Sequence, residues 1–261
     1  MQPPIITNVP KTRNASSRDG KIIQDLESHM PRNHQYRSKD RVTWAHETTH
    51  GLQANIRNSH YRQGVKQNAF YVMGDRALMV IEPNMTMRSY ANKIPEAIRG
   101  NIYEQYMVKQ QRWWDDHPCY PWDEWTAYLN GSLTRLELGI TTDSSEVQFM
   151  LEMMVYSSYV LIVGGNDPGD SDNVQRRAVF KFLAEASFQT FWDQADAFGA
   201  RDYWARVAMH GPDVLKLMDE LEIKYPEVMG VKSGIEAGWE IDRPIGCKQA
   251  DAATYDVEPG R

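Results

Sequence analysis

Cysteine is scarce, with two residues in 261, Cys119 and Cys247. The disulfide framework of a small secreted domain uses more, so both read as free thiols. A basic excess is missing as well. Against 29 Lys and Arg stand 35 Asp and Glu, a net charge of −6. That balance excludes the strongly cationic surface of a general nucleic-acid binder. No uninterrupted apolar run reaches ~18 residues, so no membrane span is expected. The opening stretch, MQPPIITNVPKTRNASSRDGK, lacks the apolar core of a secretory signal. The expected location is therefore cytoplasmic, although a mature secreted chain fits the same residues. Histidine is sparse too, at seven, yet two of the seven stand four positions apart.

What is present supports a sizeable core: 41% hydrophobic residues, with 8 Trp, 13 Tyr and 13 Met. Residues 1–20 are polar, carry three prolines and show no periodicity, and read as a flexible N-terminal arm. Residues 21–30 suit a short helix. A helix over 41–57 is expected, with Ser38 or Asp40 as its cap. Val42, Ala45, Thr49, Leu52 and Ile56 recur at three and four and form its apolar stripe. AFYVM and ALMVIE, joined by Gly74-Asp75-Arg76, predict a β-hairpin over 69–82. Helical patterns follow over 94–114, 121–138, 145–163, 176–199, 202–209 and 212–226. The 145–163 segment is apolar on nearly every side, as a central buried helix is. Met150, Met153 and Met154 read as core. GGNDPGDSDN reads as a solvated connection. Beyond residue 243 a loose C-terminal tail is expected. The fold class is mainly α (α+β), one domain over 21–242 with a helical core and a small hairpin or sheet.

The densest chemical signal is RVTWAHETTHGLQANIRN, residues 41–58. His46 and His50 lie one helical turn apart, so both imidazoles face the same way and can reach one ion with bonds of ~2.0–2.1 Å. Glu47 follows the first of them and projects beside the pair, where it can act on a metal-held water. This is the mechanical content of H-E-x-x-H. Gln53 and Ile56 occupy the places where the longer metzincin motif needs Gly and His, and His60 falls past the end of the helix.

A third ligand must come from elsewhere. The preferred acid is Glu124, on a helix where Ala127 and Tyr128 share its face. Glu152 is the main competitor, because a lone carboxylate in an apolar helix needs a partner. It also suits pairing with an arginine, or supporting a metal-bound histidine from behind. Asp123 is expected to point ~100° away from Glu124. Glu96 and Glu104 read as solvated, and a thiol ligand from Cys119 stays open.

HETTH followed by a helix containing EWTAY resembles the gluzincin-type zinc metallopeptidases, the HExxH…E class. The resemblance spans roughly residues 40–135. It implies a zincin-like fold with the motif on one helix and a glutamate ligand on the next. It also implies that His46 and His50 are ligands, Glu47 is the general base and Glu124 is the third ligand. The hairpin here follows the motif, whereas that family builds much of its sheet before it.

The chemistry expected is zinc-dependent hydrolysis of peptide bonds in a peptide or protein substrate. Zn²⁺ would be held by His46, His50 and Glu124, and Glu47 would move the proton. For the oxyanion the candidate donors are Tyr128, Tyr120, His210 and Arg57. The Trp-rich segment WWDDHPCYPWDEW suits either a substrate wall or core filler. The alternative function is a catalytically inactive fold with a structural zinc, acting as a binding protein. Such a site would be closed by a fourth ligand such as Cys119 or His117.

Overall fold

A strand forms where the sequence suggests a loose arm. In the computed structural model, which describes residues 5–142, 145–164, 171–194 and 197–228, β1 (Ile5–Asn8) is the first element. It lies antiparallel to one arm of the hairpin formed by β2 (Gln67–Tyr71) and β3 (Arg76–Ile81). The sheet order is β1-β3-β2, with Ile5 opposite Met79 and Ala69 also opposite Met79 from the other side. The hairpin turn is tight, and Met73, Gly74 and Asp75 all adopt φ of 63°. Gly74 takes this left-handed conformation without the steric cost a side chain brings.

The helices follow with connections set by their caps. After α1 (Lys21–His29), Asp40 accepts a hydrogen bond from the Val42 backbone at 3.0 Å and starts α2 (Arg41–Ser59). The buried face of α2 includes the expected stripe of Val42, Ala45, Thr49, Leu52 and Ile56. Farther along lies α3 (Met87–Ala91).

The continuous helix expected over 94–114 is broken. It consists of a 3₁₀ turn at Glu96–Ile98, a π-helix at Glu104–Lys109 and the short α4 (Gln111–Trp114). The remaining helices are α5 (Tyr120–Glu137), α6 (Ser145–Gly164), α7 (Ser171–Trp192), α8 (Phe198–His210) and α9 (Pro212–Glu220).

The physical reason for the break is Glu152 of α6. Its carboxylate accepts from the backbone N–H groups of Asn101 and Ile102, both at 3.0 Å, and from Gln148 and Tyr156. Those two N–H groups are thereby taken out of any preceding helical turn. Gly100 makes the approach possible, since a Cβ there would lie 2.0 Å from the Glu152 carboxyl carbon. Glu152 is thus a buried capping group. Removing it in Glu152→Ala strands the buried N–H of Ile102 and the more exposed one of Asn101, at a cost of about 3 kcal/mol. We expect Tm to fall by roughly 10 °C, with metal content per chain unchanged. Loss of the metal along with Tm would return Glu152 to the list of ligands.

α5 is the centre of the packing, wedged between α2 on one side and α6 on the other. Trp122 and Trp125 are fully buried and tie α5 to its neighbours. Trp122 donates to the Ser157 carbonyl on α6, and Trp125 to the Ser187 hydroxyl on α7. Met150, Met153 and Met154 are buried. By length and composition α6 is apolar enough to cross a membrane. Its burial against α5, α7, α8 and α9 accounts for that character. The described chain is therefore mainly helical with a three-stranded antiparallel sheet. Cys119 is free and buried, whereas Cys247, the tail over 243–261 and most of the GGNDPGDSDN connection lie outside the described residues.

Candidate metal centre

Helices α2 and α5 bring the expected ligands together. His46 and His50 sit on the α2 face turned to α5, and Glu124 lies in the first turns of α5. The His46 and His50 Nε2 atoms are 3.2 Å apart. The Glu124 Oε2 oxygen is 3.6 Å from the first and 3.3 Å from the second. A tetrahedral ion with bonds of ~2.0–2.1 Å requires ligand-to-ligand edges of ~3.3–3.4 Å. The observed triangle meets that requirement, and a point about 2.0 Å from all three atoms exists. His46 and Glu124 are buried and His50 is half-buried.

The protein offers that oxygen nothing else. Glu124 Oε2 is buried and has no hydrogen-bond partner, an expensive condition for a carboxylate unless a cation faces it. The other oxygen, Oε1, accepts from the Tyr120 hydroxyl at 2.5 Å. The group His46–His50–Glu124 could therefore hold a metal ion.

Asp123 prepares His50 for this role. Its Oδ1 lies 2.5 Å from His50 Nδ1. A proton shared there leaves Nε2 with its lone pair toward Glu124, as a ligating imidazole requires. Gln53 donates to the Asp123 carbonyl at 3.1 Å, and Arg57 Nη1 stands 3.5 Å from Asp123 Oδ2. On the far side, Glu146 of α6 lies 3.8 Å from His46 Nδ1.

These acids set the electrostatics. Burial alone would lower the His50 imidazole, but the charges of Glu124 and Asp123 outweigh it and raise it well above the ordinary value. His46 is also raised, burial again opposing and the nearby Glu124 and Glu146 carboxylates prevailing. Burial would raise Glu124, yet the two imidazoles hold it well below the usual carboxylate range. The surroundings favour positive charge, a proton or a metal. We expect Asp123→Ala to weaken metal affinity about 10–100-fold, read by competition with a chelator of known affinity. Unchanged affinity would show that Asp123 does not orient the ligand.

The three atoms open onto a cavity of about 470 Å³, within the size range of small-molecule sites. Glu47 lines it beside the histidines. Trp114 and Tyr120 form one wall as a stacked pair, centroids 4.1 Å apart and 6° from parallel. The Trp-rich segment therefore divides: Trp114 faces the cavity, and Trp122 and Trp125 are core.

Tyr106 lies on the cavity surface, presented by the π-helix. Tyr128 sits one layer deeper, packed edge-on against the His46 ring at 4.4 Å, with its hydroxyl 3.0 Å from that of Tyr106. Tyr106, and not Tyr128, lines the cavity. Burial, then the Glu124 charge, pushes both the Tyr106 and Tyr120 phenols upward, so both stay protonated donors.

His210 is exposed at the end of α8 and does not line the cavity. Nor do His117 and Cys119. His117 lies 3.5 Å from Glu82 and 3.7 Å from Asp116, and Cys119 is fully buried.

Sequence reasoning missed Asp123 and Tyr106 as site residues. Asp123 does project away from the Glu124 direction, but that direction leads to the back of His50. No regular pattern announces Tyr106, because the π-turn that aims it departs from helical periodicity.

Comparison with protein-family models, with curated proteins and with solved structures gives no match. The likeness to gluzincins rests on residues 46–50 and 124–128 themselves.

Proposed function

We propose that the chain is a zinc-dependent peptidase whose site is the cavity above His46, His50 and Glu124. One observation carries the reading: a buried, unpartnered carboxylate oxygen within 3.3–3.6 Å of two imidazole nitrogens, with Glu47 beside it in an open cavity. Two nitrogens and one oxygen at tetrahedral spacing suit zinc in a catalytic arrangement. A structural site would be closed by a fourth protein ligand. His117 and Cys119, which could fill that place, lie off the cavity.

Zinc held there supplies Lewis acidity, polarising a carbonyl and making water easier to deprotonate. The protein's own groups do the rest. Glu47 takes a proton from water as its oxygen bonds to the carbonyl carbon. The C–N bond breaks, and Glu47 passes the proton to the departing amine. The Tyr106 hydroxyl, on the cavity surface, is a donor available to the developing oxyanion, with Tyr128 fixing it from behind. Asp123 keeps His50 oriented, and the Trp114–Tyr120 wall excludes water from one side.

The experiment is hydrolysis of a mixed peptide pool, followed by mass spectrometry. Cleavage is expected, abolished by a chelator and restored by zinc. Cleavage indifferent to chelation contradicts the proposal.

A further inference from the structure

An extended substrate can be held by adding a strand to a free sheet edge. The edge next to this site is β2, which packs on α2. Three of its backbone groups are already taken. The Ala69 N–H donates to the Asn68 side chain, the Tyr71 N–H to Gln53 Oε1, and the Tyr71 carbonyl accepts from Asn130. Each partner is a buried side chain, and displacing it would strand its own polar atoms. Strand addition along Ala69–Tyr71 would have to displace these partners, which favours recognition in the cavity.

One lining residue is a permanent cation. Arg57 follows His50 by two turns of α2, about 10 Å along the axis, and lines the same cavity. Its Nη1 donates to Asn68 Oδ1 at 2.9 Å and stands 3.5 Å from Asp123 Oδ2. Both contacts use Nη1, whereas a guanidinium carries five N–H donors in a fork matched to a carboxylate. One extended residue spans ~3.5 Å. The two side chains come closer than the backbone, since Arg57 Nη1 and His50 Nδ1 both lie against the one Asp123 carboxylate, so a single residue with a contact of about 3 Å at either end spans their separation.

We propose that Arg57 is a carboxylate subsite and that the cavity binds the C-terminal end of a short peptide. The last side chain would lie against the Trp114–Tyr120 wall. Resting on the peptidase reading, this makes the activity that of a carboxypeptidase: water adds to the carbonyl of the last peptide bond and the terminal amino acid leaves as a free amine.

The test uses zinc-loaded Glu47→Gln protein, titrated calorimetrically with N-acetyl-alanylphenylalanine and with its C-terminal amide. The acid is expected to bind at least ~10-fold more tightly. Adding Arg57→Gln should erase the preference, and Arg57→Lys should keep part of it. Equal affinities, no binding of either ligand, or a preference that survives Arg57→Gln would overturn the proposal. A loss equal for acid and amide in Arg57→Gln would do the same, leaving Arg57 only as the support of Asp123. Hydrolysis by the unsubstituted protein is read separately. An acid that binds through Arg57 but is never cut sinks the peptidase reading and leaves the subsite standing.

Discussion

Glu47→Gln is expected to keep one zinc per chain and to lose about 10²–10⁴-fold in kcat. The amide has nearly the shape of the carboxylate, so the cavity and the three ligand atoms stay as they are. What disappears is the capacity to accept a proton. Glu47 lies beside His46 on α2 and lines the cavity without being one of the three close ligand atoms. KM should change little, because the loss falls on the step of proton transfer. The comparison needs zinc measured on the same preparation, by mass spectrometry under native conditions. Turnover at the unsubstituted rate, with zinc present, would remove Glu47 from the base position.

The second large effect is expected at Glu124. Zinc in four-ligand sites is bound by ~10–16 kcal/mol, so one ligand accounts for roughly 3 kcal/mol, or about 100-fold in affinity. Glu124→Ala should weaken zinc binding by at least that factor, and hydrolysis at submicromolar free zinc should vanish. Here the loss is more than a ligand. His46 and His50 are raised by Glu124, and without it the two imidazoles face each other with no carboxylate between them. Glu152→Ala supplies the contrast, since it lowers Tm and spares the metal. Should the two variants exchange behaviours, with Glu152→Ala emptying the site, the assignment of the third ligand is wrong.

Much of this centre was legible in the sequence because one helix carries half of it. His46 and His50 share a face through the 3.6-residue repeat alone, and the Val42–Ile56 stripe orients that face. Glu124 was legible less directly, from an acid, Ala127 and Tyr128 on one side of a second helix. The hairpin was announced by Gly74-Asp75, and the burial of α6 by its lack of a polar face.

Other features depend on contacts distant in sequence. β1 is four residues long, and its pairing partner, β3, lies some 70 positions away. The break of the 94–114 segment is caused by Glu152 reaching back from α6. That capture precedes the π-turn carrying Tyr106, so the lining tyrosine was not legible from local periodicity. The role of Asp123 was not legible for a simpler reason. A direction around one helix says nothing of what the neighbouring helix places there, and here it is the rear nitrogen of His50.

The most direct test is a crystal of the zinc-loaded protein, with diffraction recorded on both sides of the zinc absorption edge. The account predicts one anomalous peak within about 2.1 Å of His46 Nε2, His50 Nε2 and a Glu124 oxygen, open toward Glu47. A peak elsewhere, or none at full zinc saturation, contradicts it.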